Sequence, residues 1–517
     1  MDKLKILFNT VRYVTFLQAC HRVRYEAVKR FKKSIRQVQC LEINHNFKWI
    51  LPEQYDIGPD TPLAFEYNIH ELLQNKFTFL NKLTFNFPGK IDWYSNPFKY
   101  RLWNFKLNYF DYLQDLVMGY AAYSDLRYID KGYELIESWI NANIGKYNTN
   151  TWDPYVVSKR VINLILFYNA TKDNCRYSKK LLDAINTQAH FLHKNMELYL
   201  GANHVIMNAK ALIFCGVFLN NKRFLKTGLK VINKEFNNQV MTDGGHYELS
   251  PSYHIEVLMH YIESALVLQR NSHDGAGKEV LEKAKIMFEY LYNIITPYGE
   301  IPLVNDSTQD YPVPVNEILE CGAVLFNDAR YKKFGNPTLG FYTIKLLGAE
   351  SINAYKCMEA LPGHKTGAVL NKDTGYYILR DSTPSGEIYM LFDCGNIGPD
   401  SNPGHSHADS MNLLLSVGLN NLFVDSGTYT YKICSKRNYF RSTRAHNTIE
   451  IDGISSSQIW SAFRVGKRAR SKVVNNTLED TYSYISAEHD GYSRVLGKSR
   501  ITHRRSILYI KGESLVI

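Results

Sequence analysis

The chain has 517 residues, of which 45% are hydrophobic and 21% charged, with only 31 glycines and 16 prolines. This composition is typical of a globular protein of two to four domains and excludes a disordered or collagen-like chain. Lysine and arginine outnumber aspartate and glutamate by 61 to 50, but residues 1–36 alone carry a net charge of +8. The rest of the chain is therefore close to neutral, and nucleic acid is not predicted as a partner.

Residues 1–60 are predicted to form a basic helical arm ahead of the first domain. A helix can align several apolar residues of this arm along one side, namely Ile6, Leu7, Val11, Val14 and Phe16. One interpretation is a helix that packs on the next domain with its charges in solvent. The other is peripheral contact of residues 1–36 with an anionic membrane, where each Lys or Arg near the surface adds about 1 kcal/mol.

Targeting signals are not evident in the sequence. Arg12 interrupts the apolar part of a would-be signal peptide, and no small-residue cleavage pattern follows it. No run of about 18 uncharged apolar residues exists that could cross a membrane. We therefore expect a cytoplasmic protein or one at the periphery of the inner membrane, and a periplasmic location stays open.

From residue 61 to about 355 the apolar residues recur at helical spacing, as in FDYLQDLVMGYAAY and KKLLDAINTQAHFLHKNMELYL. No fixed repeat motif accompanies this spacing. The pattern therefore favours an α/α toroid of helical hairpins over a regular solenoid.

From about residue 365 to 517 the pattern changes to short apolar runs bounded by Gly, Asn and Asp. These runs are predicted strands: TGYYILR, EIYMLFDCG, MNLLLSVG, NNLFVDSG, HNTIEIDG and RRSILYIKGESLVI. Helices first and strands second predict two domains, the toroid followed by an antiparallel β-sandwich. The last strand pattern reaches Ile517, and a sandwich needs strands that cover its edges. We therefore expect the sandwich to be incomplete in this sequence.

Eight cysteines are scattered along the chain without a CxxC pair, and several lie in apolar runs. They are predicted to be buried free thiols: Cys20, Cys40, Cys175, Cys215, Cys321, Cys357, Cys394 and Cys434.

The first of three polar clusters is the segment GANHVIMNAKALIF. Asn203 and His204 open a predicted helix, and His204 and Asn208 share one face at i and i+4. A capping role for Asn203 beside a hydrogen-bonded histidine is the structural interpretation of this cluster. A substrate site at the start of the helix is the functional one.

The second cluster is HYELSPSYH, where Ser250 is the predicted N-cap and Pro251 the first helical residue. Tyr253 then lies in the first turn, where the positive end of the helix favours a phenolate. We therefore expect the pKa of Tyr253 to lie below the ordinary value of about 10. The structural alternative is a tyrosine at the edge of the core, since the chain contains 37 tyrosines.

The third cluster is GHSHAD, with two histidines at i and i+2 in a loop rich in Gly and Pro. Asp425 ends the apolar run NLFV, and His446 precedes the apolar pattern TIEI. Histidine and aspartate side chains at the ends of adjacent strands can bind zinc together with His407. Spacing alone does not decide between His405, His407 and Asp409 as ligands.

Together and in this order, the clusters resemble the heparinase II/III family of polysaccharide lyases, which combine a helical toroid with a β-sandwich. The resemblance spans about residues 60–517. It depends on five motifs: NH at 203–204, HYELSPSYH at 246–254, GHSHAD at 404–409, VDSGTYTY at 424–431 and AHNTIEIDG at 445–453. The sequence has DSG where many relatives have DPG.

The resemblance implies roles for individual residues. Asn203 and His204 are expected to bind the substrate carboxylate, with Tyr253 as catalytic acid and His405 as catalytic histidine. His407, Asp425 and His446 are expected to hold a structural zinc ion, and no organic cofactor is expected. Further contacts to the substrate are predicted for Asn208, Glu248, Tyr429 and Arg444.

The activity implied is β-elimination in an anionic polysaccharide that contains uronic acid. Donors on the carboxylate stabilise the enolate that forms when the C5 proton leaves. Tyr253 could act as both base and acid, or share these roles with His405. Expected polymers range from glycosaminoglycans and alginate to bacterial capsule, O-antigen or exopolysaccharide, and the sequence does not predict an oligomeric state.

Two alternatives stay open. A glycoside hydrolase would need two carboxylates flanking the bond, and only Asp243 and Glu248 lie near the second cluster. A non-catalytic glycan-binding or biosynthesis accessory protein would use the same cleft only to hold polymer.

Overall fold

The computed structural model describes residues 3–51, 65–80, 82–172, 178–309, 313–497 and 500–517. Two helices come first, α1 (Lys3–Val11) and α2 (Phe16–Phe31). The helical domain follows, and a small antiparallel hairpin lies near its start. Its elements are α3 (Ile69–Leu73), β1 (Lys76–Phe79), β2 (Leu83–Asn86), α4 (Arg101–Tyr109), α5 (Tyr112–Tyr123), α6 (Arg127–Asn143), α7 (Pro154–Thr171), α8 (Ser178–Lys194), α9 (Ala202–Phe218), α10 (Lys222–Gln239), α11 (Pro251–Arg270), α12 (Asp274–Ile294), α13 (Val315–Phe326), α14 (Ala329–Lys332), α15 (Phe341–Leu347) and α16 (Glu350–Cys357).

The long helices of this domain form antiparallel hairpins arranged in two layers. Helices α5, α7, α9 and α11 contact one another in sequence, and each packs against the helix that follows it in the chain. Nearly every residue of α9 and most residues of α7 and α11 are buried. Helices buried on all sides lose the one-sided pattern of a surface helix and belong to the inside of a bundle. The predicted toroid of helical hairpins is thus confirmed.

The β domain contains a five-stranded and a four-stranded antiparallel sheet, each with neighbouring strands in chain order. Its elements are β3 (Gly367–Asn371), β4 (Tyr376–Thr383), β5 (Gly386–Asp393), β6 (Leu413–Val417), β7 (Asn420–Phe423), α17 (Ser435–Phe440), the hairpin β8 (Ile459–Trp460) and β9 (Arg464–Val465), β10 (Ser471–Leu478), β11 (Tyr482–His489), α18 (Gly491–Leu496), β12 (His503–Ile510) and β13 (Ser514–Val516).

Strand β4 of the five-stranded sheet is buried on both faces along most of its length. Tyr377 and Leu379 point to the four-stranded sheet, where they share a core with Ile485. Their neighbours along the strand, including Ile378, pack instead against Tyr290 and other residues of the helical domain. Because side chains alternate along a strand, β4 is apolar on both sides and joins sandwich and toroid.

Three sequence predictions about the strands and thiols need correction. The segment HNTIEIDG was predicted to be a strand, but it forms only an isolated bridge between Ile451 and Ile454. Strands β10 and β11 were not predicted. All seven described cysteines are free as predicted, but Cys20, Cys357 and Cys434 are exposed and Cys40 is half-buried rather than buried. Cys175 lies outside the described residues.

The first two helices contact both domains rather than the toroid alone. Trp460 of the β domain donates its Nε1–H to Thr10 Oγ1 at 3.0 Å, and Arg24 Nη2 donates to the carbonyl of Lys194 at 2.7 Å. No residue of α2 is buried. Within the described ranges, no helix combines the length and apolarity needed to cross a membrane.

We expect Gly216→Ala to lower the melting temperature of the protein. A Cβ at this position in α9 would overlap the backbone nitrogen of Leu225 in α10, and overpacking of this kind costs about 1–3 kcal/mol. Gly275→Ala is the matched control, because a Cβ there meets nothing within 4 Å and alanine is the better helix former. Equal melting temperatures for both variants would contradict the close packing of α9 on α10.

Candidate functional site

The predicted site residues meet where the helical and β domains join. Tyr253, at the start of α11, stacks on His405 of the β domain with 3.7 Å between ring centroids. Its hydroxyl donates to Tyr431 Oη at 3.0 Å. The cap residue Ser250 and Pro251 stand where the sequence predicts them. The Ser250 hydroxyl, however, faces Ser307 at 3.0 Å and does not cap the helix.

The centre of the site is Asp306, which the sequence reading missed. This fully buried carboxylate lies in the loop after α12. Its Oδ2 contacts His405 Nδ1 and its Oδ1 contacts His407 Nε2, each at 2.9 Å. Arg437 of α17 donates from both terminal nitrogens to the same carboxylate, from Nη2 at 2.6 Å.

Asp306 fixes the protonation pattern of both histidines. Burial alone would raise the pKa of Asp306, but the charge of Arg437 and the hydrogen bonds of its partners hold that pKa well below its ordinary range. An ionised carboxylate can only accept hydrogen bonds. Each imidazole nitrogen that faces it therefore carries a proton, which leaves the lone pairs on His405 Nε2 and His407 Nδ1.

The expectation of a lowered Tyr253 pKa is wrong. Burial, the neighbouring Tyr431 phenol and the charges of Asp306 and Glu256 raise the pKa of Tyr253 well above its ordinary value. These effects outweigh the helix end. Tyr253 is therefore a neutral phenol that can donate a proton.

His204 is a cation at neutral pH. Its Nδ1 lies 3.1 Å from the buried carboxylate of Glu197. Burial alone would lower the pKa, but the charge and hydrogen bond of Glu197, with further charge from Asp153 and Glu256, raise the pKa of His204 to about 9. Its side chain is 32% exposed, so this imidazolium is accessible to a ligand.

Asn203 follows two residues with left-handed backbone. Gly201 has φ +68° and Ala202 φ +53°, and the Ala202 N–H donates to Tyr247 Oη at 3.0 Å. Left-handed backbone is strained for alanine, and such strain often accompanies functional sites. Helix α9 begins at Ala202 with Gly201 at the cap, so Asn203 is not the capping residue. Its Oδ1 is buried without a partner among the described residues.

Asn208 lies deeper than a substrate contact would require. It is fully buried, its Oδ1 accepts from the Glu197 N–H at 2.8 Å, and its Nδ2 donates to Ser158 Oγ at 3.0 Å. The structure thus departs from the prediction of a direct substrate contact. Asn208 positions Glu197, the partner of His204.

Glu248 is buried and faces His405 rather than open solvent. Its Oε1 lies 3.8 Å from His405 Nε2, and neither carboxylate oxygen has a hydrogen-bond partner within the described part of the chain. Burial raises the pKa of Glu248, and the proximity of His405 and His204 opposes that rise. A geometric link between His204 and helix α11 is Tyr155, whose ring lies 4.6 Å from that of His204 and whose hydroxyl donates to Glu256.

Tyr429 and Arg444 lie at the surface. Tyr429 is 59% exposed and stacks on Phe440, with ring centroids 5.5 Å apart. Arg444 forms an ion pair with Glu450 at 2.8 Å. Their substrate contacts stay predictions.

A second group of ligand atoms lies beside the stacked pair. His407, Asp409 and His446 are buried and offer ligand atoms within 4.8 Å of one another. His407 Nδ1, His446 Nε2 and both Asp409 oxygens lack partners among the described residues. Unpaired buried atoms of these types fit a zinc ion.

Asp425, which was predicted as a ligand, lies on the far side of His446. Its Oδ2 contacts His446 Nδ1 at 2.8 Å and accepts from Asn412 Nδ2 at 2.6 Å, and its Oδ1 accepts from the Gly427 N–H at 2.9 Å. A carboxylate on the second nitrogen of a metal-binding histidine orients that ring. The structure thus groups Asp409, not Asp425, with the two histidines.

These features define a toroid-and-sandwich protein with a polar site at the junction of its domains. The model for the heparinase II/III N-terminus matches residues 63–333, and the heparinase II/III-like C-terminal model matches residues 364–517. The chain therefore belongs to the heparinase II/III family.

Curated relatives include two heparin-sulfate lyases. The one from Bacteroides thetaiotaomicron is 25% identical over 427 residues, covering 77% of this chain and 56% of the relative. The one from Pedobacter heparinus is 22% identical over 451 residues, covering 84% and 62%. The chain thus spans somewhat more than half the length of these relatives.

Solved structures show the same fold. A heparinase III structure matches with a TM-score of 0.68 and 21% identity, over 95% of this chain and 73% of that one. The heparan sulfate lyase HepC of Pedobacter heparinus matches with a TM-score of 0.60 and 19% identity, over 96% and 72%.

We expect His204 to keep its proton up to about pH 9, which an NMR titration of the imidazole signals would show. His204→Asn identifies the signal, and Glu197→Gln should lower its pKa because the main anionic partner is lost. Since the pKa is raised in the folded chain, the stabilisation is fully present below about pH 6.5 and is lost as the pH rises through 9. A midpoint at or below about 6.5 would contradict the ion pair.

Proposed function

We propose that this protein is a polysaccharide lyase that cleaves a uronic-acid-containing anionic polysaccharide by β-elimination. The observation that carries the proposal is the stack of neutral Tyr253 on His405 in the cleft that also contains cationic His204. Such a site offers a proton acceptor, a proton donor and a positive charge for a carboxylate.

The reaction follows from these protonation states. His405 Nε2 takes the C5 proton, and His204 with Asn203 stabilises the negative charge that develops on the carboxylate. The electron pair then forms the C4–C5 double bond as the C4–O bond breaks, and Tyr253 donates its proton to the leaving oxygen. Transfer of the proton from His405 to Tyr253, whose rings are in contact, restores the starting state.

The raised pKa of Tyr253 supports a division of roles in which Tyr253 is the acid and His405 the base. A phenol that holds its proton so firmly is suited to be the acid and not the resting base. His405 then acts as base from the same side of the sugar, since the two rings are stacked.

The substrate class follows from the relatives and the charge of the site. The curated relatives are named heparin-sulfate lyases, so we propose heparan sulfate as the first polymer to test. Alginate and bacterial capsule, O-antigen and exopolysaccharide polymers are the next, because each can present a uronate to His204.

The geometry of the site does not support a glycoside hydrolase. Of the two carboxylates near His405, Asp306 is saturated by Arg437 and two histidines, and Glu248 is buried. A hydrolase needs two carboxylates that face the glycosidic bond.

We expect Tyr253→Phe to abolish formation of unsaturated product, because it removes the proton donor and leaves the ring stack intact. Asn203→Ala should lower the rate on the order of 100-fold or more, as loss of an oxyanion donor does. The measurement is ultraviolet absorbance of the C4–C5 double bond during a screen of anionic polysaccharides.

Tyr439→Phe, at a side chain that is 49% exposed, removes a hydroxyl outside the cluster and serves as control. A Tyr253→Phe protein with the wild-type rate would overturn the assignment of the acid. Binding of polymer without any double-bond formation by the wild type would favour the accessory role.

We propose that His407, His446 and Asp409 hold a structural zinc ion. Asp306 and Asp425 would orient the two imidazoles through their second nitrogens. When bound, the ion supplies coordination that ties the GHSHAD loop to the segment containing His446. His405 is left free to face the cleft.

We expect about one zinc per chain in elemental analysis, and a lower melting temperature after chelation. Asp409→Asn should lose the metal, whereas Asp425→Asn should retain it with weaker affinity, by roughly 10–100-fold. Loss of metal in Asp425→Asn alone would make Asp425 the direct ligand. Absence of metal together with unchanged melting would refute the site.

We propose that the first two helices contact an anionic membrane surface. Besides the basic charge of this segment, Phe8, Phe16 and Phe31 are 71%, 85% and 73% exposed. Exposed apolar side chains among cations are typical of helices that lie in the interface of a membrane. Leu7, Val11 and Val14 of the predicted apolar side are exposed as well.

We expect the protein to sediment with vesicles of anionic lipid at low salt and to be released at high salt. A triple change of Phe8, Phe16 and Phe31 to Ser should weaken this binding. The control is a triple change to Ser at exposed apolar residues outside the segment, namely Leu361, Leu419 and Ile433. Equal sedimentation of both variants, or none of the wild type, would refute the membrane contact.

A further inference from the structure

The segment Lys3–Phe31, which we call the strap, lies outside the regions that match the family, since these begin at residue 63. It nevertheless contacts both domains. Arg24 contacts the helical domain, and Thr10 contacts the β domain.

On the helical domain the strap packs beside the partner of His204. The rings of Tyr25 and Tyr199 lie 4.4 Å apart, and the guanidinium of Arg22 lies 5.5 Å and 5.0 Å from these two rings. Tyr199 follows Glu197 by two residues. Burial, Asp153 and Glu197 raise the pKa of Tyr25, which agrees with a position close to these carboxylates.

On the β domain the strap packs on both sides of a loop. Thr10 Oγ1 accepts from Trp460 Nε1 at 3.0 Å, and the guanidinium of Arg468 lies 3.9 Å from the ring centre of Tyr13. Between these two anchors the loop contains Phe463.

Phe463 belongs to the wall of the catalytic cleft. Its ring lies 6.0 Å from that of His405 and stacks on Tyr431 at 5.7 Å. The strap thus joins the loop of Phe463, which contacts His405, to the segment of Tyr199 and Glu197, which holds His204.

Two further contacts between the domains lie near the same residues. Asn402 Nδ2, three residues before His405, donates to the carbonyl of Leu200 at 3.2 Å. The ammonium of Lys432 lies 4.7 Å from the ring centre of Tyr100, next to Tyr431. The catalytic residues are therefore bordered by several contacts that cross the cleft.

We propose that the strap closes one end of the cleft, so that the enzyme removes short units from the ends of polysaccharide chains instead of cutting within them. A cleft whose walls are joined at one end admits a chain end but not a continuous polymer. Arg22 and Arg101, with side chains 52% and 51% exposed, lie at this end, and each is paired with a carboxylate, Glu26 and Asp153 respectively. This inference rests on the proposed lyase activity.

The test compares the average chain length of the polymer, measured by light scattering, with the number of double bonds formed. For the full-length wild type we expect short unsaturated products from the start and a slow decline in chain length. Two variants release the strap independently: Arg22→Ala/Tyr25→Ala at the helical domain and Tyr13→Ala at the β domain. In both, chain length should fall early in the reaction.

Val23→Ala/Arg30→Ala is the matched control, because both residues lie on the exposed side of α2. It should keep the wild-type product sizes, and melting curves establish which variants fold. Early loss of chain length with the wild type itself overturns the proposal without any variant. Wild-type product sizes in the folded release variants overturn it as well. Absence of double bonds with every polymer overturns the lyase assignment, and the strap's role with it.

Discussion

The site depends on one buried charge, the carboxylate of Asp306. The helical domain supplies this carboxylate, whereas His405, His407 and Arg437 that contact it all belong to the β domain. A buried carboxylate without partners would be strongly destabilising, and so would an unpaired Arg437. Docking of the two domains and the arrangement of His405, the proposed catalytic histidine, are therefore one event. Neither histidine can rotate without breaking a charge-assisted hydrogen bond.

The same principle applies at His204. Glu197 is buried, is held by Asn208, and keeps the imidazole charged. In both places a buried carboxylate contacts one ring nitrogen of a histidine that we propose to act on the substrate. At His405 it leaves a lone pair for a proton, and at His204 it keeps a positive charge. A buried carboxylate beside a histidine can thus prepare the histidine either to accept a proton or to carry a positive charge.

The sequence pointed to the proposed catalytic residues more readily than to the residues that orient them. The motifs around Asn203, Tyr253 and His405 are local, so their spacing can be read directly. Asp306 lies in the polar segment VNDSTQD, which looks like any loop, and its partners are about 100 or more residues away. The only available signal was that buried Arg and His residues need an anion.

Other errors have equally physical causes. Helix polarity at Tyr253 was predicted correctly, but desolvation proved stronger. Strand β10 (SKVVNNTL) is mostly exposed and has too few apolar residues for pattern recognition. HNTIEIDG has a strand composition, yet its Asn447 is used for contacts with the backbone of Leu413 and Val424.

The two anchors of the strap have a consequence for biosynthesis. Thr10 can accept its hydrogen bond from Trp460 only after another 450 residues have been synthesised. The helical domain is made earlier and presents the apolar surface around Tyr290 on which the five-stranded sheet folds. Domains generally fold in the order of their synthesis. The residues up to Tyr13 therefore reach their contacts on the β domain only after Trp460 and Arg468 have been made. Until then α1 is available to a chaperone or to a lipid surface.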